Sequence, residues 1–375
     1  MKRFEALDSW RGIAACLVAF YHLHKMSVNG HLTGLALQLN SYFFVDFFFV
    51  LSGFVIAANY QQRLAEGYSP WRFALLRFGR LYPLHISVLL ACIVLHLAHA
   101  ASGVAGVSAF QPPFWSADTI VANLLLLHSL HAFDFLTWNA PSWSISTEFY
   151  TYLLFAAAVA LTRRRIVLLL LPVVVASALA LSMLVHDMDT TYDWGLIRCI
   201  LGFSVGVLAW RVHRAGWLRS GTALEFLSVG LMLAFISLAG GTRLSIAAPA
   251  VFAVVVLVFA AEAGTVSRLL RTPVLRWLGE RSYSIYMVHF LVWLLLVDCA
   301  KLIERSGIDL VSVTEGGQLR KNDVVSLVYF VLVLGVAAVT YRVIEVPARA
   351  WFRRRITPRA RRDAGIAMQR SHEAV

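Results

Sequence analysis

The chain has 375 residues, of which 59% are hydrophobic and only 14% are charged, and its formal net charge at pH 7 is +12. Stretches of about 18 or more mostly apolar residues recur along it, which excludes an ordinary soluble domain and is typical of transmembrane helices. A nucleic-acid-binding protein is excluded as well, because the basic residues stand in short connections and in the C-terminal tail, which is the pattern of membrane topology signals.

The apolar segments are continuous and do not alternate as barrel strands do. Backbone groups in lipid must be paired within the chain, so the sequence predicts an all-α polytopic membrane protein. One segment, 118–130, is too short to span and is predicted to be a re-entrant or interfacial helix. Ten segments are predicted to span the membrane: 10–26, 42–59, 81–99, 143–162, 166–185, 196–213, 224–240, 245–262, 282–300 and 324–346.

The distribution of arginine predicts the orientation of these spans. With a cytoplasmic N-terminus and a non-crossing 118–130, the connections around 63–80, 163–165 and 268–281 lie in the cytoplasm. The region 100–142, which contains no lysine or arginine, then lies outside. The sequence therefore predicts a multi-pass protein of the inner (cytoplasmic) cell membrane with both termini in the cytoplasm.

The chain is predicted to form one membrane domain over 1–352, followed by a basic cytoplasmic tail over 353–375. The composition of the tail is typical of a disordered segment or of one at the lipid surface. The four cysteines stand in apolar sequence without paired spacing. They are interpreted as small core residues, and neither a disulfide framework nor a metal site is predicted.

The first apolar segment, WRGIAACLVAFYHLHKM, contains Arg11 and His22. Residues with this spacing differ by roughly 20° around a helix and by about 16 Å along it, so they share one face, which Asp8 can also share. Ionisable side chains inside spans are costly and are functional candidates by default. Taken singly, Arg11 fits a basic residue that orients the helix in the membrane, and His22 fits a hydrogen-bonded packing residue. Their alignment on one face favours a functional site instead.

A second basic pair, Arg77 and Arg80, stands in LLRFGRLYPLH at the start of the third span. Two guanidinium groups suit phosphate, because each can bind two oxygens. Taken alone, however, the pair fits two more topology signals.

The stretch NAPSWSISTEFYTYLLFA places Ser144 and Glu148 four residues apart on one face of a predicted helix. A glutamate near a membrane core needs a partner, although stabilisation by the helix dipole is the simpler interpretation. Trp143 and its aromatic neighbours fit a membrane-interface belt or a sugar-stacking surface.

Two further spans carry polar residues that need partners. Asp46 lies among phenylalanines in SYFFVDFFFVLSGFVIA, where a lone carboxylate must pair with another group. Tyr286 and His289 in LGERSYSIYMVHFLVW are three residues apart and share a helix face.

Six of these stretches together resemble the membrane-bound acyltransferase family 3, which modifies sugars and other envelope or secreted molecules. The resemblance covers nearly the whole chain, and the family has a similar number of spans. Its arginine and, eleven residues later, histidine fall on Arg11 and His22, and its paired arginines fall on Arg77 and Arg80. Ser9 departs from the family, which usually has glycine there. The stretches occur in this order: RFEALDSWRGIAACLVAFYHL, VDFFFVLSGFVIA, RFGRLYPLH, PSWSISTEFYTYL, LGERSYSIYMVHF and YRVIEVPARAWF.

The resemblance implies an acyl-CoA-dependent O-acyltransferase. Its co-substrate would be cytoplasmic acyl-CoA, acetyl-CoA in the first instance, and its acceptor a hydroxyl of an exopolysaccharide or a lipid-linked oligosaccharide. His22 would be the general base or a transient acyl carrier. Beside acyl-CoA and the acceptor, the lipid bilayer is the expected partner, with no metal and no nucleic acid. The site residues expected are His22, Glu148 and Asp46 for catalysis, Arg11, Arg77 and Arg80 for acyl-CoA, and Trp143, Ser144, Tyr286 and His289 for the acceptor.

Alternatives remain open at this point. The acceptor of the acyl group fits a macrolide or another secreted small molecule as well as a carbohydrate. Buried His, Asp and Glu residues among ten spans are also typical of a proton-coupled transporter. The sequence contains no paired broken spans and no inverted repeat, which makes the transporter the weaker interpretation. An inactive sensor or scaffold is a further alternative, against which the presence of His22 and the arginine pair argues.

Overall fold

The computed structural model describes residues 3–25, 35–102, 114–218, 220–305 and 318–356. These residues form helices and connecting loops, and no β-strand occurs among them. Two single-turn helices, Ala36–Leu39 and Gln62–Ala65, stand on either side of α2. The longer helices are α1 (Glu5–Lys25), α2 (Phe44–Ile56), α3 (Pro70–Ser102), α4 (Ala117–Leu124), α5 (Trp143–Thr162), α6 (Ile166–Leu184), α7 (Gly195–Ala215), α8 (Thr222–Ala239), α9 (Ala248–Phe259), α10 (Thr265–Leu270), α11 (Pro273–Arg305), α12 (Gln318–Thr340) and α13 (Val346–Ile356).

Eight helical stretches of the described chain are long and apolar enough to cross a membrane. They coincide with eight of the ten predicted segments and confirm an all-α polytopic membrane protein. The other two segments are also helical, but α1 begins with Glu5, Asp8 and Arg11, and α9 has only 12 residues. The eight stretches are Ser41–Ala65, Pro70–Ala98, Ala140–Thr162, Ile166–Leu184, Gly195–Ala215, Thr222–Ala239, Pro273–Cys299 and Val324–Ile356.

The short segment expected over 118–130 is helical only in α4, which has 8 residues and cannot span a membrane. An irregular loop follows it as far as the start of α5. In this loop Leu126, His131 and Trp138 have positive φ angles of 56°, 61° and 43°. Residues other than glycine rarely adopt this backbone conformation, and it persists only where the surrounding structure imposes it.

The membrane orientation and the C-terminal tail stay predictions. The orientation of the bundle in the membrane rests on the arginine distribution alone. The tail expected over 353–375 lies outside the described residues from position 357 onward.

The most extensive helix–helix contact in the described chain joins α1 to α11. The two helices cross where each has a glycine, Gly12 and Gly279. A Cβ atom added to Gly12 would lie 2.5 Å from the backbone nitrogen of Gly279 and 2.5 Å from the carbonyl carbon of Leu278. Only glycine permits backbones to approach so closely, a means of packing that is common between membrane helices. The crossing holds the two helices side by side along the face that carries Arg11 and His22.

A second close crossing joins α2 to α7. A Cβ atom at Gly53 would collide with the backbone of Phe203, and one at Gly206 would collide with the backbone of Val50. Gly202 and Gly206 are four residues apart, so they lie on one face of α7 and form the small-residue spacing that favours tight helix pairs.

We expect Gly12→Ala to lower the free energy of unfolding by about 1–3 kcal/mol, the usual cost of overpacking a tight contact. Thermal unfolding of the purified protein in detergent, followed by tryptophan fluorescence, measures the change. Gly230→Ala is the matched control, because Gly230 lies on the exposed face of α8 with no heavy atom within 4 Å of an added Cβ. That variant should be neutral or slightly stabilised, since alanine is the better helix former. Equal stability of the two variants would contradict a close α1–α11 crossing.

Candidate active site

A cavity of about 460 Å³ lies between α1, α2, α3, α5 and α11. One of its ends reaches the protein surface, where the side chains of Arg3 and Glu280 are 51% and 40% exposed. The lining carries more arginines than carboxylates: Arg3, Arg11, Arg77, Arg80 and Arg349, against Asp8, Glu148 and Glu280. We call the end of the cavity at the protein surface the arginine end.

The opposite, inner end is mostly apolar. Val45, Phe48 and Ile145 line it together with Ser144 and Tyr286. Along α2 and its continuation the lining runs from Val45 to Asn59, fourteen residues, which corresponds to about 21 Å. The cavity is therefore deep and narrow, a shape that suits an elongated ligand with a charged head.

Two π-helical turns, Ala57–Gln61 and Tyr341–Glu345, border the cavity. Each contributes one lining residue, Asn59 and Tyr341. Single π-turns inside α-helices occur frequently at functional sites, because they change the direction of the side chains that follow.

The predicted acyl-CoA arginines all line the cavity, and they differ in the contacts that they make. Arg80 makes no hydrogen bond or ion pair with any residue that the structure describes. Arg77 donates from Nη2 to the hydroxyl of Tyr60 at 3.5 Å, and its buried Nε has no partner. Arg11 already has partners in the protein, since its Nε donates to Ser282 Oγ at 2.7 Å and its Nη2 lies 3.3 Å from Asp8 Oδ1. Arg77 and Arg80 thus offer unused donors to an anion in the cavity.

Glu148 lies on the cavity wall between the two ends. Its Oε1 accepts hydrogen bonds from Ser52 Oγ at 2.6 Å and from the hydroxyl of Tyr152. Ser52 and Tyr152 also contact each other, with 2.7 Å between their oxygens. The cluster presents two hydroxyl groups and a carboxylate to whatever occupies the middle of the cavity.

Tyr286 lines the inner end. Its hydroxyl lies 2.8 Å from Ser144 Oγ and donates to the carbonyl of Pro141 at 3.0 Å. Two of the predicted acceptor-binding residues, Tyr286 and Ser144, are therefore in direct contact on the cavity wall.

His22 and His289 form a pair one helical turn beyond Tyr286, and neither lines the cavity. His22 Nδ1 lies 2.9 Å from the carbonyl oxygen of Val18 and 3.3 Å from His289 Nε2. Because a carbonyl can only accept, its contact requires the proton of a neutral His22 ring to be on Nδ1. The Nε2 atom then has the lone pair that a general base or a nucleophile needs.

Asp46 is separate from the cavity, in a buried ion pair with Arg198 of α7. Arg198 Nε and Nη2 donate to the two oxygens of Asp46 at 2.9 and 2.7 Å, and both side chains are almost fully buried. The predicted acceptor residue Trp143 lies in the same place, with its ring 5.4 Å from the guanidinium carbon. These contacts favour structural roles for Asp46 and Trp143, and their predicted roles in catalysis and acceptor binding stay untested.

Sequence reasoning missed several residues of the site. An arginine inside an apolar segment is a signal that makes Arg198 one candidate for the partner that Asp46 requires, although it does not pair the two residues. Tyr152 stands four residues after Glu148, so helical spacing is a signal for that contact. Ser52 has no comparable signal, since it approaches Glu148 only through the packing of α2 against α5.

Comparison of the sequence with known proteins shows what this chain is similar to. A family model described as an acyltransferase domain matches residues 4–342. "Protein 2 in picA locus" of Rhizobium radiobacter is 31% identical over 165 residues, which are 41% of this chain and 82% of that protein. "Acyltransferase MdmB" of Streptomyces mycarofaciens is 30% identical over 278 residues, 66% of this chain and 67% of that protein.

A further relative is "Putative peptidoglycan O-acetyltransferase YrhL" of Bacillus subtilis (strain 168). It is 26% identical over 326 residues, 76% of this chain and 48% of that protein, so the match spans about half of the length of the Bacillus protein. No solved structure matches the chain.

Asp46→Ala should lower the free energy of unfolding by about 3–5 kcal/mol, because it leaves the charge of Arg198 buried without its partner. Replacement of both charges, Asp46→Leu with Arg198→Met, should recover most of the loss, since paired apolar residues of similar volume often substitute for a buried ion pair. Thermal unfolding in detergent compares the three proteins.

A single variant Asp46→Ala as stable as the wild type would refute the structural role of the pair. A stable double variant that no longer transfers an acyl group would instead favour the catalytic role predicted for Asp46.

Proposed function

We propose that this protein, which belongs to the membrane-bound acyltransferase family 3, transfers an acyl group from cytoplasmic acyl-CoA to a hydroxyl of a carbohydrate acceptor. Acetyl is the simplest acyl group. One observation carries the proposal: a deep cavity has arginines with unused hydrogen-bond donors at its arginine end and a histidine pair next to Tyr286 at its inner end.

The arginine end suits the head of acyl-CoA, which carries several phosphate charges. Charge-assisted hydrogen bonds to phosphate are strong, and guanidinium binds two phosphate oxygens at once. The length of the cavity along α2, about 21 Å, suits a thin pantetheine arm. The cluster of Ser52, Tyr152 and Glu148 offers that arm hydrogen-bonding groups midway. In this arrangement the arginine end faces the cytoplasm, as the arginine distribution predicts.

His22 supplies the chemistry. As a general base, its Nε2 removes the proton from the acceptor hydroxyl while the oxygen attacks the thioester carbonyl. The carbon–sulfur bond then breaks, and the CoA sulfur leaves and takes up a proton. In the second route Nε2 attacks the thioester carbonyl, the carbon–sulfur bond breaks, and the CoA sulfur leaves and takes up a proton. The acceptor oxygen then attacks the acyl carbon, the bond to Nε2 breaks, and the hydroxyl proton is released, which restores the neutral imidazole.

The acceptor assignment is supported by the surroundings of the histidine pair. The hydroxyl of Tyr21, the neighbour of His22, donates a hydrogen bond to Asp189 Oδ2 at 2.9 Å. Asp189 is exposed in the connection between α6 and α7, next to the buried Thr190. Carboxylate and hydroxyl groups are suitable partners for sugar hydroxyls. The Bacillus relative, whose name refers to peptidoglycan O-acetylation, favours a carbohydrate of the cell envelope.

Binding of acetyl-CoA labelled in the acetyl group, to protein purified in detergent, tests the donor site. We expect saturable binding that Arg80→Gln weakens by roughly tenfold or more, as expected for the loss of a hydrogen bond to a charged group. Arg72→Gln should leave the affinity unchanged, because Arg72 lies on the same helix, is exposed and does not line the cavity.

Equal weakening by the two substitutions would indicate non-specific electrostatic attraction. If the wild type binds no acyl-CoA, the donor assignment is wrong, and a proton-coupled transporter becomes the better interpretation.

His22→Ala tests the chemistry with the same labelled donor. The variant should still bind acetyl-CoA, but the transfer of label to the carbohydrate fraction of isolated membranes should be lost. Label on the wild-type protein without acceptor, absent from the variant, would identify the acyl-histidine route. Donor binding without protein label would favour direct transfer. A folded His22→Ala protein that transfers at the wild-type rate would refute the role of His22.

A further inference from the structure

We propose that Tyr286 is a movable partition between the cavity and the histidine pair, and that the thioester reaches His22 only when this side chain swings aside. The proposal rests on the donor site proposed above and adds a positioning residue to it. It follows from the observation that the cavity and His22 are adjacent and yet not connected.

The ring of Tyr286 packs between two other rings. On the cavity side, the ring of Phe48 packs edge-on against Tyr286 with 5.6 Å between centroids. On the other side, the ring of His289 packs edge-on at 5.8 Å, and His289 contacts His22. Tyr286 is the last residue of α11 that lines the cavity, and His289 stands one turn further along the same helix.

The alternative path along α1 is sealed. Arg11 is the last lining residue of this helix. Between Arg11 and His22, Ala14, Ala15 and Val18 are 0%, 0% and 1% exposed. The close α1–α11 crossing at Gly12 leaves no space there for a ligand. Tyr286 is a lining residue whose ring contacts His289, so movement of its side chain would join the cavity to the histidine pair.

Hydrogen bonds hold the partition closed. The Tyr286 hydroxyl is fixed by Pro141 and Ser144 at the start of α5, and Asn139 Nδ2 binds the carbonyl of Met287 next to it at 3.1 Å. These contacts come from the segment 138–144. Trp138, at its start, has a positive φ angle, so the segment is held in a specific and strained conformation. An acceptor that displaces this segment would release the tyrosine.

Such a partition protects the donor. Acetyl-CoA in the cavity is kept from His22, so the histidine cannot activate water against the thioester before an acceptor arrives. Exclusion of water and of premature contact is a common task of movable groups in active sites. In the wasteful reaction, water oxygen bonds to the acyl carbon, the carbon–sulfur bond breaks, and acetic acid and CoA thiol are released.

Release of CoA thiol from acetyl-CoA without acceptor measures this leak in the full-length purified protein. Tyr286→Ala should raise the rate by about tenfold or more, because the partition is gone, while acetyl-CoA binding persists. Tyr286→Phe keeps the ring and loses only the two hydroxyl contacts, so the rise should be smaller than that of Tyr286→Ala but at least about fivefold, the factor for one neutral hydrogen bond. Loss of packing alone would lower the rate, so an increase separates the partition from a purely structural role.

Two controls make the result specific. Tyr150→Phe also removes a tyrosine hydrogen bond, to the carbonyl of Leu125, and lies away from the cavity, so its leak should equal that of the wild type. Addition of His22→Ala to Tyr286→Ala should abolish the gain, because the leak uses His22.

Unchanged or slower thiol release in both Tyr286 variants, with acetyl-CoA still bound, would overturn the partition and leave the donor site standing. If the gain persists without His22, the partition does not control access to that histidine. Failure of the wild type to bind acetyl-CoA would overturn the donor site and the partition together.

Discussion

The close crossing of α1 and α11 at Gly12 and Gly279 is the constraint on which the rest of the site depends. Since the backbones touch there, the two helices stay side by side, which puts Arg11 against Ser282 and His22 against His289. The same contact closes the path along α1. The charged and the catalytic candidates therefore share one face, while the cavity lies on the Phe48 side of Tyr286.

A second constraint is electrostatic. Asp46 and Arg198 are buried in the α2–α7 contact, where an unpaired charge would be very costly. Their bidentate pair, together with the glycine packing at Gly53 and Gly206, fixes α2, which forms one wall of the cavity. Arg80, by contrast, lines the cavity and makes no hydrogen bond or ion pair with a described residue, although Glu345 and Glu148 attract its charge from nearby, so its donors can bind an anion.

The length of the apolar runs was sufficient to predict eight of the ten expected spans, and helical periodicity predicted the shared face of Arg11 and His22, because both signals depend on residues close in sequence. The sequence also showed that Asp46, a carboxylate among apolar residues, needs a partner. It gave no means to choose Arg198, because that choice depends on how α2 packs against α7. The same limit applies to Ser52 beside Glu148 and to Tyr286 between the cavity and His289. Spacing predicted the distance from Arg11 to His22 but not the aromatic ring that separates the cavity from the histidines.

The proposed donor site is one deep cavity that holds acyl-CoA with its head at the arginine end and its acyl group at Tyr286. A cryo-EM structure of the protein with a non-hydrolysable thioether analogue of acetyl-CoA would test this binding mode. We expect phosphate density within hydrogen-bond distance of Arg77 and Arg80, and the acyl end against Tyr286, on the side of Phe48. An empty cavity with the analogue bound elsewhere, or an analogue in the reverse direction, would contradict it.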